Sequence, residues 1–219
     1  MNTILLLLTL TFSLVSFSQD YPAEWFKEVP RAEAESWEIL PQDASAGEVV
    51  LSKRTELGAF SNLAVTVFVL DQKAYSSVEG LWQSLKYPDH SQQNDPRLKI
   101  IFPFQREQVE LMSGFEAKKA GDEANKIYKA ERFKQVSYGS HFFDYKDHSA
   151  GSEFHYQLIR RAMKAKLDQN PSLWALLLRT GCLKLRPDHK LNDTDPPAYH
   201  YYKIYMELRS ERQLVSCSR

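Results

Sequence analysis

An acid, an amide and an amine lie close together in one segment of the chain, residues 75–86. Glu79, Gln83 and Lys86 fall on one side of an α-helix that turns about 100° per residue. Glu79 and Lys86 are then two turns, about 10 Å, apart along the axis. That separation exceeds the three or four residues of a helix-stabilising ion pair. A carboxylate and an amine placed in this way can bracket a bound sugar.

An apolar stripe formed by Val78, Trp82 and Leu85 lies roughly 100° from the polar stripe on the same helix. The polar stripe therefore flanks the apolar one and does not oppose it, as expected where a helix meets the rim of a pocket. Many surface helices show the same pattern, so a solvated charged face is the alternative interpretation.

The segments around this helix predict an α+β fold, a mostly helical single domain with a small β-sheet. A β-prone run at residues 49–51 and a stronger one at residues 65–70 predict strands. A polar turn at residues 71–73 precedes the helix, which Ser76 or Ser77 can cap and Pro88 ends. Further helices are predicted at residues 96–102, 105–112, 115–133 (kinked or broken near Gly121), 153–169, 172–179 and 199–214, with a loop at 137–151.

The composition suits one folded domain without a strong electrostatic partner. The 219 residues are 43% hydrophobic, enough for a sizeable core. Lys plus Arg and Asp plus Glu number 28 each, so the net charge is zero. A protein that binds nucleic acid mainly through overall positive charge is therefore excluded, although a local basic patch is not.

The first residues resemble a secretory signal peptide. Residues 4–17 are apolar and uncharged, and Ser16 and Ser18 place small residues before a cleavage site at Gln19. We therefore expect a signal peptide at 1–18, an irregular N-terminal arm at 19–47 and a domain at 48–214. The protein is then exported, periplasmic or secreted, with no membrane attachment after cleavage; an uncleaved anchor is the alternative.

Export allows the two cysteines, Cys182 and Cys217, to form a disulfide. The alternative is a small buried Cys182 and a free thiol at Cys217. No metal site and no cofactor is expected, because the acidic loop around Asp188 and His189 matches no ligand spacing and is better explained as solvated.

Several segments, in order, resemble the NADAR (YbiA-like) N-glycosidase family. The blocks span about residues 48–212 and are Ala59-Phe-Ser-Asn-Leu63, Tyr75-Ser-Ser-Val-Glu79 through Lys86, Arg160-Arg-Ala-Met-Lys-Ala-Lys-Leu-Asp-Gln-Asn-Pro171, Leu176-Leu-Leu-Arg-Thr-Gly181 and Met206-Glu-Leu-Arg209. The resemblance implies hydrolysis of an N-glycosidic bond, with Glu79 as the catalytic carboxylate and Lys86 in the active site. It also implies that Asn62 positions the substrate.

The sequence departs from the family after Gly181. The family's Glu, Trp and Gly-rich run are replaced by residues 185–202, and Gly80 stands where a His commonly follows the Glu. A second carboxylate is then expected from Asp188, Asp193 or Asp195, and a stacking ring from Tyr199, Tyr201 or Tyr202, with Gln83 as a further substrate contact.

Three functions follow as hypotheses. The first is a hydrolase that cleaves the N-glycosidic bond of a ribosylated or ADP-ribosylated base, with Glu79 as acid/base or cation stabiliser. Lys86 would bind phosphate or attack the opened ribose. The second is a non-catalytic ADP-ribose or nucleotide-binding module, and the third an interaction protein on the same scaffold. The expected partners are a ribosylated small molecule or an ADP-ribosylated nucleic acid.

Overall fold

The computed structural model describes residues 20–149 and 152–213. The signal peptide predicted at 1–18 lies outside the described residues. Within them the fold is α+β, as predicted, with six α-helices and three two-stranded sheets. No helix in the described ranges is long and apolar enough to cross a membrane.

The helices follow the expected order with shifted ends. They are α1 (Val78–Ser84), α2 (Arg106–Glu110), α3 (Gly114–Glu131), α4 (Glu153–Asp168), α5 (Pro171–Arg179) and α6 (Tyr201–Arg212). The segment predicted as a helix at 96–102 forms only a 3-10 turn, Pro96–Lys99. The kink expected near Gly121 is absent, because α3 runs unbroken and buries this glycine on its inner face.

The strands are β1 (Glu48–Val50), β2 (Phe68–Leu70), β3 (Lys73–Tyr75), β4 (Val136–Tyr138), β5 (His141–Phe143) and β6 (Lys184–Arg186). β2 is shorter than the predicted strand and pairs antiparallel with β3, which the sequence did not suggest. Asp71 and Gln72 both have positive φ, the conformation of a two-residue hairpin turn, without the usual glycine or asparagine. The predicted loop at 137–151 contains the β4–β5 hairpin.

β1 and β6 form a parallel pair between the two ends of the described chain. Val49 lies opposite Leu185, and both side chains are fully buried. In β6 the side chain of Lys184 is exposed, whereas that of Leu185 is in the core, as expected of a half-buried strand.

The main core surrounds α4, which packs against α1, α5, α6 and β2. α4 is buried through an amphipathic stripe that includes Leu158, Ile159, Ala162 and Met163. A smaller cluster joins α2 and α3 to the segment after α1, and its members are Tyr87, Val109, Met112, Ala117, Ala120 and Ala124.

Candidate functional site

Helix α1 begins at a serine cap, as predicted. Ser77 Oγ accepts a hydrogen bond from Gly80 N at 2.8 Å and donates one to the Met112 carbonyl at 3.0 Å. A Cβ on Gly80 would lie 2.4 Å from that carbonyl oxygen, so the glycine allows α1 to approach α2. The close approach explains why no larger residue fits at position 80 with the backbone in this place.

Glu79, Gln83 and Lys86 form a continuous hydrogen-bonded chain. Gln83 Nε2 donates to Glu79 Oε1 at 2.7 Å, and Lys86 Nζ donates to Gln83 Oε1 at 2.7 Å. The charged partners fix the amide orientation, because a carboxylate accepts and an ammonium donates. The acid and amine therefore share a face, as predicted, but the amide expected to contact substrate bridges them. We call these three residues the acid–amide–amine relay.

Gly121 on α3 makes room for the relay. A Cβ at this position would lie 1.8 Å from Gln83 Oε1 and 2.2 Å from its Cδ. No larger residue can stand there with the amide in its present place. The glycine that suggested a kink in the sequence instead provides space for a side chain.

Burial changes the acid–base properties of both ends of the relay. Glu79 is half-buried, and desolvation raises the pKa of its carboxyl group against the opposing hydrogen bond from Gln83 and the charge of Lys86. Lys86 is only 4% exposed, and desolvation lowers its pKa to about 8, although the Glu79 charge opposes the shift. Both shifts favour the neutral form.

Two buried arginines hold the chain that follows α1. Arg97 Nη1 donates to the Leu85 carbonyl at 2.8 Å, and Arg106 Nη1 donates to the Tyr87 carbonyl at 3.3 Å. Asp95 neutralises Arg97, and Glu110 neutralises Arg106. Since both carbonyls flank Lys86, these contacts fix the backbone from which its side chain extends.

The loop with Asn62 is attached to the start of α1. The Asn62 carbonyl accepts a hydrogen bond from Glu79 N at 2.9 Å. The buried Lys166 Nζ donates to the carbonyls of Ala59 at 2.7 Å and Ser61 at 3.1 Å, and burial lowers its pKa to about 7. Asn62 lines the cavity, and its Oδ1 is buried without a hydrogen-bond partner among the described residues.

A cavity of about 900 Å³ opens over the relay. Six of the seven predicted site residues lie in its lining, namely Asn62, Glu79, Gln83, Lys86, Asp188 and Tyr199. Tyr199 packs edge-on against Trp82, with ring centroids 4.7 Å apart. Asp193 is exposed and does not contribute to the lining, because it lies at the outer turn of its loop.

Asp188 is buried and already has partners. Its Oδ1 accepts from Tyr201 Oη at 3.2 Å and lies 2.8 Å from His189 Nδ1. No group of three or more His, Cys, Asp or Glu side chains within residues 20–149 and 152–213 is placed to hold a metal ion.

Cys182 is exposed and disulfide-bonded, while Cys217 lies outside the described residues, so their pairing stays a prediction.

The cavity also contains residues that sequence reasoning missed. α3 contributes Lys118, Asp122 and Asn125, whose spacing of four and three places them on one helix face. That periodicity was visible in the sequence, but nothing local indicated that the face meets α1. The other missed residues include Trp37, Lys53, Tyr145, Lys146 and Lys190.

The lining is rich in cations. It contains five lysines, namely Lys53, Lys86, Lys118, Lys146 and Lys190, and three acids, namely Glu79, Asp122 and Asp188. Lys118 and Asp122 lie 3.7 Å apart, and Lys86 and Lys146 both lie near the Tyr145 ring. A chain of zero net charge thus concentrates positive charge at one cavity, where an anionic ligand is favoured.

Comparison with known proteins yields one similar structure. No family model and no curated protein sequence matches the chain. Among solved structures, the NMR structure of the E. coli protein YbiA is similar with a TM-score of 0.46 and 23% sequence identity. The match covers 73% of this chain and 80% of that chain. At this TM-score we transfer no function or residue role from YbiA.

Proposed function

We propose that this protein hydrolyses the N-glycosidic bond of a ribosylated base. The proposal depends on one observation, the acid–amide–amine relay in the wall of a large cavity. The sequence resemblance described above supports the same chemistry. We place the ribosyl unit against Glu79 and Lys86.

Glu79 is suited to donate a proton to the departing base. Breaking the C–N bond leaves negative charge on the base and positive charge on the sugar. Because burial raises the pKa of Glu79, a larger fraction of this carboxyl carries a proton near neutral pH than in an exposed glutamate. After the proton has left, the carboxylate can stabilise the sugar cation until water adds at the anomeric carbon and returns a proton to Glu79.

Lys86 is suited to act as a nucleophilic amine. With a pKa of about 8, about a tenth of it is uncharged at pH 7, whereas an ordinary lysine is almost fully protonated. As an alternative to direct addition of water, an uncharged amine can attack C1 of the ring-opened ribosyl unit while the C1–N bond breaks and the base leaves with a proton. Water then hydrolyses the lysine–sugar imine, which releases the ribose and restores the free amine. Four other lysines of the cavity remain for phosphate groups of the substrate.

The runner-up function is a non-catalytic ADP-ribose or nucleotide-binding module. Lys86 Nζ is buried and engaged by Gln83, so a substrate reaches it only after Gln83 moves. Asp188, a candidate second carboxylate, is engaged by Tyr201 and His189. Both observations suit a cavity that binds a ribosylated anion without cleaving it.

Base release from candidate substrates tests the proposal directly. We expect the protein to liberate free base from ADP-ribosylated guanine, nicotinamide adenine dinucleotide or a ribosylated pyrimidine. Chromatography measures the base that is released. Glu79→Gln and Lys86→Ala should each lower the rate at least about a hundredfold, because each removes a group needed in the transition state. Lys86→Arg keeps a positive charge but offers no free amine, and we expect it to be equally inactive.

Glu116→Gln and Lys119→Ala are matched controls on the exposed surface of α3, away from the cavity. They should retain the wild-type rate. Wild-type turnover by Glu79→Gln would reject the assignment of the acid. Tight binding of these ligands without any base release would favour the binding module.

A further inference from the structure

The outer wall of the cavity comes partly from the N-terminal arm, residues 20–47. Trp37 lines the cavity and is 41% exposed, and Lys53 lies beside it just after β1. Trp37 precedes the segment that resembles the glycosidase family. This wall is therefore a feature of this chain that the proposed chemistry at Glu79 and Lys86 does not use.

Trp37 is attached firmly to the rest of the cavity wall. The neighbouring Glu38 side chain is buried and accepts hydrogen bonds from Arg54 Nε at 2.7 Å and Nη2 at 2.9 Å. Its backbone pairs with His189 in an isolated β-bridge, and Ile39 N donates to the Asp188 carbonyl at 2.7 Å. These contacts fix the backbone that carries the exposed indole, so less conformational entropy is lost at this position when a ligand binds.

Lys53 places a positive charge next to this indole. Its Nζ lies 4.3 Å from the centroid of the Trp37 ring. The nearest carboxylate oxygen, Glu38 Oε2, is 3.7 Å away, beyond hydrogen-bonding distance, and Arg54 already engages that carboxylate. The ammonium can therefore take an anionic oxygen from a ligand while an aromatic ring of that ligand packs against Trp37.

The cavity has room for two units. Its volume, about 900 Å³, is near the upper end of pockets that enclose a drug-sized ligand. A ribosyl base at the relay fills only part of this space. The remainder extends to the wall formed by Trp37 and Lys53.

We propose that Trp37 and Lys53 form an outer subsite for a second aromatic ring that carries an adjacent anionic group, joined to the ribosyl unit. The placement of the ribosyl unit at Glu79 and Lys86 rests on the proposed function. Of the two kinds of substrate expected from the sequence, ribosylated and ADP-ribosylated bases, this subsite favours the second, in which a charged group links the ribosyl base to another aromatic ring. Trp37 and Lys53 select for the second part.

Phe115 is the rival aromatic residue. Among the exposed large hydrophobic side chains that the structure describes, only Trp37 and Phe115 line the cavity, and Phe115 is 70% exposed. Phe115 lies in the first turn of α3, and no aromatic or cation–π partner is described for it. We assign the ring to Trp37 because Trp37 is held in place and has a cation beside it.

Two ligands that differ by one such unit test the subsite. Nicotinamide adenine dinucleotide contains nicotinamide mononucleotide plus a second nucleotide joined through phosphate. Binding of both is measured by calorimetry on the full chain with Glu79→Gln, which prevents turnover. We expect the dinucleotide to bind more tightly, and Trp37→Ala to weaken it about tenfold while mononucleotide affinity changes less than about twofold.

Further variants isolate the contributions of the ring and the charge. Trp37→Phe should restore most of the dinucleotide affinity, and Lys53→Gln should weaken the dinucleotide most at low salt. Phe26→Ala, an exposed aromatic of the same arm that does not line the cavity, is the matched control and should have no effect. Unchanged thermal unfolding of Trp37→Ala will show that it is folded.

The assignment of the subsite is wrong if the two ligands bind equally or if neither binds. It is also wrong if Trp37→Ala weakens both ligands alike. Selective loss of dinucleotide affinity in Phe115→Ala but not in Trp37→Ala would contradict it as well. Selective loss without base release by the wild type would support the subsite and reject the hydrolase proposal. If the wild type releases base, Glu79→Gln does not, and Trp37→Ala has no effect on ligand binding, the hydrolase proposal is supported and the subsite is rejected.

Discussion

His155 is a titratable group that the fold keeps away from water. It is 1% exposed, and its ring packs edge-on against Trp82 with centroids 4.8 Å apart. Burial lowers its pKa from 6.5 to about 4. The imidazole therefore behaves as a neutral aromatic ring beneath the cavity wall.

Replacing His155 with Phe should change how stability depends on pH. Between pH 6.5 and 4 the unfolded chain binds a proton that the folded His155 does not, so acidification destabilises the wild type by up to about 3 kcal/mol through this group. The Phe variant lacks this contribution. Urea unfolding at pH 7 and pH 4 should show the variant gaining stability relative to wild type at the lower pH; an equal difference at both pH values would contradict this explanation.

At the scale of elements, the relay depends on how closely α1 and α3 approach. The two helices are in direct contact, and the buried alanines of α3, Ala117, Ala120 and Ala124, share a cluster with Tyr87 just after α1. Gly121 completes this face directly opposite Gln83. The relay is thus a property of a helix pair as much as of its three side chains.

Gly121→Ala should disturb the relay without much change in the stability of the fold. The new methyl group meets the flexible end of Gln83, so we expect the amide to move and the rate of base release to fall at least about tenfold. The better helix propensity of alanine should keep the free energy of unfolding within about 1 kcal/mol of wild type.

Gly80→Ala provides the contrast on α1. Its methyl group would meet the Met112 carbonyl, which belongs to the backbone and cannot rotate away. We expect a loss of about 1–3 kcal/mol in unfolding free energy. For Gly121→Ala, by contrast, a wild-type rate of base release would show that the bridge through Gln83 is dispensable.

For the whole molecule, the N-terminal arm and the domain share one core. Trp25 is fully buried, its Nε1 donates to Glu56 Oε1 at 2.8 Å, and Arg179 lies over its ring. Leu40 is also buried. The described part of the arm contains three short 3-10 turns, and its side chains complete the main body.

Trp25→Ala should therefore destabilise the entire domain. Removing a buried indole leaves a large cavity and costs about 3–5 kcal/mol. The midpoint of urea unfolding should fall while the transition stays cooperative. Phe26→Ala, at a 37% exposed neighbouring position, should change the free energy by less than about 1 kcal/mol; equal effects of the two substitutions would contradict a core role for the arm.

Sequence reasoning succeeded where the signal was local. The Ser77 cap, the common face of Glu79, Gln83 and Lys86, and the amphipathic α4 follow from helical periodicity and neighbouring residues. The β2–β3 turn was located but not recognised as a hairpin, because Asp71 and Gln72 adopt positive φ without glycine. The β1–β6 pairing joins segments from opposite ends of the chain, so no local pattern could reveal it.

The sequence alone determined the helix that carries the acid and the amine, because side-chain direction repeats with the helical turn. Only the tertiary structure decided that Gln83 bridges them, that Gly121 leaves space for the bridge, and that α3 and the arm provide the other walls. The physical reason is desolvation. The pKa values of Glu79 and Lys86 depend on how much water the remote segments exclude. The residues next to them in the sequence do not reveal how much water that is.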